Sequence, residues 1–135
     1  MQLNKGFTII ELIVVIAIIA TLSSIVIVNV SGYIKKSKDT AIKMEMSSLT
    51  KIALDYLIKH GNYGAFCNYG EMKIIYDSIA GVDKQDKFCN HSDEEWMVCV
   101  RLISDATKAW CIDSTGFSKE ITFANKCKTG PKSCP

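Results

Sequence analysis

The fold is decided near the N-terminus by the stretch Lys5-Gly6-Phe7-Thr8-Ile9-Ile10-Glu11-Leu12, which opens an apolar run that lasts to Val30. Between Phe7 and Val30, the only ionisable side chain is that of Glu11. A helix of about 20 apolar residues, rising about 1.5 Å per residue, is long enough to cross the hydrocarbon core of a bilayer. A carboxylate inside such a span costs roughly 2.5–3.5 kcal/mol on insertion scales, so Glu11 needs a specific explanation.

Three interpretations of this segment are open. A removable secretory signal peptide fits the charged head and the small residues from Ala17 to Ala20, but its apolar core is usually only about 7–15 residues long. A plain membrane anchor fits the length and composition but leaves Glu11 unexplained. The third interpretation rests on a family resemblance.

The resemblance is carried by Gly6-Phe7-Thr8-Ile9-Ile10-Glu11-Leu12 followed by Ile13-Val14-Val15-Ile16-Ala17-Ile18-Ile19-Ala20. This segment closely resembles the N-terminus of type IV pilins and type II secretion pseudopilins, over about 25 residues. In that family a short basic leader ends in glycine. A dedicated prepilin peptidase cuts after it on the cytoplasmic face and methylates the new N-terminal residue. The resemblance therefore implies cleavage after Gly6, N-methylation of Phe7 and a role in assembly for Glu11.

Cleavage would give Glu11 a partner. The new N-terminus at Phe7 would be a cationic α-amino group, one helical turn from Glu11. A carboxylate and an ammonium buried together cost far less than either group buried alone. When helices stack with an axial offset, Glu11 of one subunit can meet the Phe7 amine of the next, so the pair would set the register between subunits.

The charges on either side of the apolar run conflict with the orientation that the family implies. Only Lys5 precedes the run, whereas Lys35, Lys36 and Lys38 follow it, and positively charged flanks usually stay in the cytoplasm. However, all six cysteines also follow the run, and an even number in a short membrane-targeted chain indicates disulfides in an oxidising compartment. We therefore expect a single-pass inner-membrane precursor with its C-terminal part outside, and an extracellular filament after assembly.

The helix is expected to continue beyond the membrane. From Ser31 onward the sequence becomes amphipathic, with an apolar stripe at three- and four-residue steps formed by Ile42, Met46, Leu49, Ala53, Tyr56 and Leu57. Gly61 is a fitting C′ residue and no proline precedes Pro131, so we predict one uninterrupted helix from about Phe7 to His60.

The rest of the chain predicts a small antiparallel sheet. A short helix is expected over Glu71–Ala80, followed by a polar connection over Val82–Glu95. Alternating apolar residues then predict about three strands, over Trp96–Ile103, Lys108–Asp113 and Phe117–Phe123. One face of this meander can pack on the amphipathic half of the helix, which gives an α+β, pilin-like fold. The expected organisation is a leader over 1–6, a transmembrane or filament-core half over 7–30, an amphipathic half over 31–60 and a disulfide-stapled globular head over 61–135.

The six cysteines allow fifteen disulfide pairings, and the sequence leaves the connectivity open. Zinc binding is disfavoured because the cysteines include no C-x-x-C pair. The pilin resemblance implies a closed C-terminal loop, and a tight hairpin centred near Asp105 would bring two further cysteines face to face. On that basis we expect the pairs Cys127–Cys134, Cys99–Cys111 and, from what remains, Cys67–Cys89.

No catalytic constellation is present in the sequence. It lacks the G-x-S-x-G, H-E-x-x-H and P-loop patterns, so we expect no enzyme activity, catalytic residue or cofactor. Major pseudopilins bind calcium in a loop late in the chain, where this sequence has lysines instead, so no metal is expected. DNA binding is a weak alternative because no aromatic residues are interleaved with these lysines, which are Lys126, Lys128 and Lys132.

The sequence is therefore interpreted as a structural pilin subunit that polymerises with copies of itself into a helical surface filament. The implied partners are the prepilin peptidase, the membrane and a pilus or type II secretion assembly machinery. The alternatives are a type II secretion pseudopilin, a minor pilin for DNA uptake or adhesion, and an anchored domain that is never cleaved after Gly6.

Overall fold

The computed structural model describes residues 6–79, 81–123, 127 and 133–135, and it leaves the side chains of residues 28 and 29 undescribed. The chain divides into two compact units, Met1–Ile34 and Lys35–Pro135, and we call the second the globular unit. The helices are α1 (Ile9–His60) and α2 (Gly70–Ser78), with short 3₁₀ helices at Phe66–Asn68 and Lys84–Asp86. The strands are β1 (Lys87–His91), β2 (Trp96–Arg101), β3 (Lys108–Asp113) and β4 (Ser118–Thr122).

The first unit contains the apolar start of α1. Its described side chains are exposed in the single chain, those of Ile9 by 77% and Val15 by 45%. Among the described residues, α1 is the one helix that is long and apolar enough to cross a membrane. A helix satisfies its backbone polar groups internally, which is what a lipid environment requires.

Helix α1 ends where the sequence predicted. Gly61 has a φ of 76°, a left-handed conformation that glycine adopts without strain, and its N–H donates to the Leu57 carbonyl at 2.8 Å. The predicted apolar stripe is confirmed from Ile42 to Tyr56, whose stripe residues are buried in one core cluster. Its last predicted member, Leu57, is only half-buried and lies outside that cluster.

The sheet has four antiparallel strands in the order β1-β2-β3-β4, one more than the sequence predicted. The three predicted strands are confirmed, and the predicted hairpin register holds because Cys99 lies opposite Cys111. Strand β1 occupies the stretch that was expected to be a polar connection. It pairs with β2 from Lys87, opposite Val100, to His91.

Strand β1 begins with a buried lysine, so it lacks the apolar alternation that predicts a strand. Lys87 is only 6% exposed, and its ammonium donates to the carbonyl oxygens of Tyr76, Asp77 and Ile79 at 3.1, 3.3 and 3.0 Å. The last carbonyls of a helix have no partners within it, so Lys87 caps the end of α2 and joins it to the sheet. Burial lowers the pKa of Lys87, and the charge of Asp77 partly opposes that shift.

Both faces of the sheet are covered, whereas the sequence predicted a cover for only one. The face that packs on α1 carries the buried side chains of Trp96, Val98, Val100 and Ile112. The opposite face, which we call the second face, carries the buried side chains of Met97, Cys99, Ala109 and Cys111, packed with Cys127.

Two disulfides tie the second face to the C-terminal residues. Cys99 bonds to Cys127 and Cys111 bonds to Cys134, with Cα–Cα distances of 5.9 and 6.0 Å. The predicted pairs Cys99–Cys111 and Cys127–Cys134 are therefore wrong. Cys99 and Cys111 lie side by side on neighbouring strands. A bond between them would leave no disulfide to hold the C-terminal residues on the second face. Separate bonds bring both C-terminal cysteines onto that apolar face.

A buried carboxylate strengthens this attachment. Asp113 is 3% exposed, and its Oδ2 accepts a hydrogen bond from the backbone N–H of Cys134 at 2.7 Å. Its Oδ1 accepts from the backbone N–H and the hydroxyl of Thr115 at 2.9 and 2.6 Å, which fixes the turn between β3 and β4.

The third predicted bond, Cys67–Cys89, is present, with a Cα–Cα distance of 5.8 Å. It links the 3₁₀ helix at Phe66–Asn68 to β1. Nearby, the backbone N–H of Tyr63 donates to the Asp93 carbonyl at 2.9 Å. The loop that follows α1 is therefore fastened to the β1–β2 hairpin.

The disulfide arrangement gives a first test. Cys111→Ala/Cys134→Ala should lower the free energy of unfolding of the full-length chain by about 2–4 kcal/mol, because the unfolded chain is no longer cross-linked. It should also speed peroxide oxidation of Met97, which is fully buried on the second face. Denaturation in detergent micelles measures the first quantity and peptide mass spectrometry the second.

The matched control is Cys67→Ala/Cys89→Ala, whose cysteines are separated by 22 residues, against 23 for the test pair. It should lose a similar amount of stability without speeding the oxidation of Met97. A Cys127–Cys134 peptide in a non-reducing digest of the wild-type chain would contradict this arrangement.

Candidate functional site at the start of the long helix

The predicted processing site lies just before α1. Gly6, Phe7 and Thr8 have no regular secondary structure, and Phe7 is 83% exposed. A side chain built on Gly6 would meet no other part of the described chain within 4 Å. The Gly6–Phe7 bond is therefore accessible in the single chain, whereas residues 1–5 of the expected leader lie outside the described residues.

Thr8 and Glu11 cap the start of α1 by bonding to each other. The backbone N–H of Glu11 donates to Thr8 Oγ1 at 3.3 Å, and the backbone N–H of Thr8 donates to Glu11 Oε2 at 2.9 Å. The Thr8 hydroxyl also donates to Glu11 Oε2, at 2.8 Å. This reciprocal arrangement is a capping box, which satisfies backbone donors that the first helical turn leaves without partners.

The capping box explains part of why a carboxylate is tolerated here. Glu11 lies in the first turn of α1, where the positive end of the helix dipole favours a negative charge. The cost of the carboxylate is therefore reduced before any second chain is present. The signal is in the sequence, because Thr8 and Glu11 have the T-x-x-E spacing of a capping box directly before an apolar run.

One oxygen of Glu11 is still available to a donor. Both Thr8 donors bind Oε2, and Oε1 has no hydrogen-bond partner among the described residues. By contrast, the Thr21 hydroxyl donates to the Ile18 carbonyl at 2.9 Å and the Ser24 hydroxyl to the Thr21 carbonyl at 2.7 Å. These two hydroxyls are thus satisfied by the helix itself. The pairing of Glu11 with a Phe7 amine involves a second chain and stays a prediction.

Comparison with known proteins identifies the family. Residues 1–27 match the family described as the prokaryotic N-terminal methylation motif. The type IV wide pilus major component PilA4 of Thermus thermophilus is 38% identical over 63 residues, which are 47% of this chain and 48% of that protein. The type IV major fimbrial protein FimA of Dichelobacter nodosus is 30% identical over 111 residues, which are 80% of this chain and 69% of that protein. This chain belongs to the type IV pilin family.

The similarity covers the relatives to different extents. The pilin spans about half the length of the Thermus protein and 69% of the Dichelobacter protein. No solved structure shows a significant match to it.

The residues considered for metal or DNA binding do not form a second site among the described residues. Within residues 6–79, 81–123, 127 and 133–135 of the pilin, no group of three or more His, Cys, Asp and Glu side chains is placed to hold a metal ion. The His60 ring stacks on Tyr56 at 4.1 Å between centroids, and His91 Nε2 lies 3.0 Å from the Gly64 carbonyl. The candidate DNA contacts lie outside the described residues; they are Lys126, Lys128 and Lys132.

A buried carboxylate that no motif in the sequence marks fixes α1 to the loop between β2 and β3 of the pilin. Asp39 is 5% exposed, and it accepts hydrogen bonds from the backbone N–H groups of Ile103 and Ser104 at 2.7 and 3.2 Å. The Ser104 hydroxyl donates to the same carboxylate. Helical periodicity could have identified this residue, because position 39 lies one turn before Ile42 on the face that carries the buried stripe.

Thr8→Ala tests the capping box of the pilin. We expect the first turn of α1 to lose about 1 kcal/mol of stability, because the amide of Glu11 loses its acceptor. This corresponds to about fivefold faster amide hydrogen exchange at Glu11, measured by NMR on the full-length chain in micelles. Thr21→Ala removes a hydroxyl that donates to a helix carbonyl and caps nothing, so exchange at Glu11 should be unchanged. Equal exchange at Glu11 in the wild type and Thr8→Ala would rule out the cap.

Proposed function

We propose that this pilin is made as a membrane-inserted precursor, cleaved after Gly6, methylated on the Phe7 amine and polymerised into a helical filament on the cell surface. The match of residues 1–27 to the methylation motif supports this proposal, and the exposed Gly6–Phe7 junction is accessible to a peptidase. Both relatives are named as major components of type IV pili or fimbriae. This favours a pilus subunit over a type II secretion pseudopilin or a minor pilin.

The observation that carries the assembly mechanism is the available oxygen of Glu11. Cleavage turns the Phe7 amide into a cationic α-amino group. Glu11 Oε1 then accepts from the Phe7 amine of a neighbouring copy, while Oε2 stays with Thr8. In an apolar bundle of helices an unpaired carboxylate or ammonium is strongly penalised, so copies stack in the register that pairs them.

Each part of the chain has one role in this proposal. Residues 1–6 are the leader, residues 7–30 anchor the precursor and later form the filament core, and residues 31–60 carry the sheet. Residues 61–135 form a stapled head that faces solvent. The apolar side chains that the structure describes before residue 28 are exposed in the single chain, so they need either lipid or neighbouring helices around them.

The same proposal gives the partners and the location. The precursor crosses the inner membrane once, with its C-terminal part outside, and meets the prepilin peptidase at its cytoplasmic end. A pilus assembly machinery then moves the mature chain into the extracellular filament, where its main partners are copies of itself.

Glu11→Val and Glu11→Gln test the role of the carboxylate. Both variants should remain membrane-inserted. Their filament yield should fall at least about tenfold, because each Phe7 amine is left unpaired in the core. The yield is the pilin in the sheared surface fraction divided by total pilin. Glu94→Gln removes an exposed carboxylate from the β1–β2 hairpin and should assemble normally. A normal yield from Glu11→Val would contradict the mechanism.

A further inference from the structure

Three lysines directly after the apolar run have no role in cleavage or in the pairing of Glu11. Lys35, Lys36 and Lys38 contradict the usual charge rule for orientation if the C-terminal part lies outside. All three side chains are exposed on α1. A function for them therefore has to explain three positive charges on the side of the membrane where the rule does not expect them.

Within the part of the chain that the structure describes, these lysines have no ion-pair partner, whereas several other lysines do. Lys59 pairs with Asp55 at 2.6 Å and Lys108 with Glu120 at 2.8 Å. The nearest carboxylate in sequence, Asp39, is buried and satisfied by the backbone of the β2–β3 loop. The charges of the three lysines are thus available to an external anion.

Their position along the helix indicates which anion they meet. Lys35 follows Val30 by five residues and Lys38 by eight, which is about 7.5 Å and about 12 Å of helical rise. The polar layer of a bilayer adds about 5–8 Å on each side of the hydrocarbon core. Lysine stems are flexible and can lie along the helix while the ammonium reaches the phosphates. The backbone positions of the three lysines therefore lie at the level of the lipid headgroups or just above it.

We propose that Lys35, Lys36 and Lys38 form a cationic collar that binds the phosphate groups of anionic phospholipids in the leaflet through which α1 leaves the membrane. Successive residues of an α-helix are about 100° apart, so the three side chains point in different directions and can engage several lipids. Each lysine near an anionic surface strengthens binding roughly fivefold. The collar rests on the proposed function only in placing residues 7–30 in a membrane; it needs neither cleavage nor polymerisation.

The collar also accounts for the conflict between charge and orientation. The contacts with headgroups hold the precursor at a fixed depth, with its apolar run in the hydrocarbon and Tyr33, 72% exposed, at the interface where aromatic residues are enriched. A subunit that enters a filament has to give up these contacts. Anionic lipid therefore retains the precursor in the membrane until the assembly step withdraws it.

Native mass spectrometry of the full-length, uncleaved chain in non-ionic detergent tests the collar. The probes are phosphatidylglycerol, the zwitterionic phosphatidylcholine and inorganic phosphate. We expect the wild type to retain phosphatidylglycerol in preference to phosphatidylcholine. Lys35→Gln/Lys36→Gln/Lys38→Gln should weaken the binding of phosphatidylglycerol about tenfold or more, while the arginine triple variant at the same positions should keep it.

The matched control removes three other exposed lysines that have no ion-pair partner among the described residues: Lys51→Gln/Lys73→Gln/Lys84→Gln. It has the same net charge as the glutamine variant of the collar and should bind phosphatidylglycerol like the wild type. An equal loss in this control would overturn the proposal, because net charge alone would then explain the binding. The proposal would also be overturned if the triple glutamine variant bound phosphatidylglycerol as strongly as the wild type does. Displacement of the lipid by millimolar inorganic phosphate would overturn it too, because the lysines would then bind free phosphate and not specifically a lipid. Since no filament is needed, failure here leaves the Glu11 mechanism intact.

Discussion

The structure of this pilin depends on how one carboxylate is accommodated in an apolar helix. Glu11 uses Oε2 to close a capping box with Thr8, which satisfies the first turn of α1 within one chain. Oε1 has no donor among the described residues, and neither lipid nor a helix bundle supplies water for it. A single chain therefore tolerates the carboxylate, and we propose that a second chain that offers an ammonium makes it favourable. The start of α1 is therefore a stable helix end, and in the proposed assembly it also selects the register between subunits.

The globular unit relies on buried charged groups in a similar way, but within the chain. Asp39 accepts from the β2–β3 loop, Lys87 donates to the last carbonyls of α2, and Asp113 holds both the β3–β4 turn and Cys134. Each of these groups is satisfied mainly by backbone atoms, so each fixes one element relative to another. With the disulfides that cover the second face, they hold together a small unit whose hydrophobic core alone would give marginal stability.

The sequence predicted the features that follow from local periodicity and local motifs. The long helix, its buried stripe and the register that places Cys99 opposite Cys111 were all predictable, because they depend on residues close in sequence. Strand β1 was not, since Lys87 is buried by contacts with a helix end that no pattern reveals. The disulfide partners depend on which face the C-terminal residues cover, which is a long-range property. In the candidate site, the charge of Glu11 suggested a cationic partner, the amine of Phe7 in another chain. The T-x-x-E spacing also indicates a neutral partner in the same chain, Thr8.

The central claim is that cleavage creates the amine that the carboxylate of Glu11 needs. The intact mass of the subunit in sheared surface filaments, measured without reductant, tests it most directly. The account predicts a single chain that begins at Phe7, carries one added methyl group at its N-terminus and contains six oxidised cysteines. A filament subunit that keeps residues 1–6, or that begins at any other residue, would contradict it, because Glu11 would then have no cationic terminus one turn away.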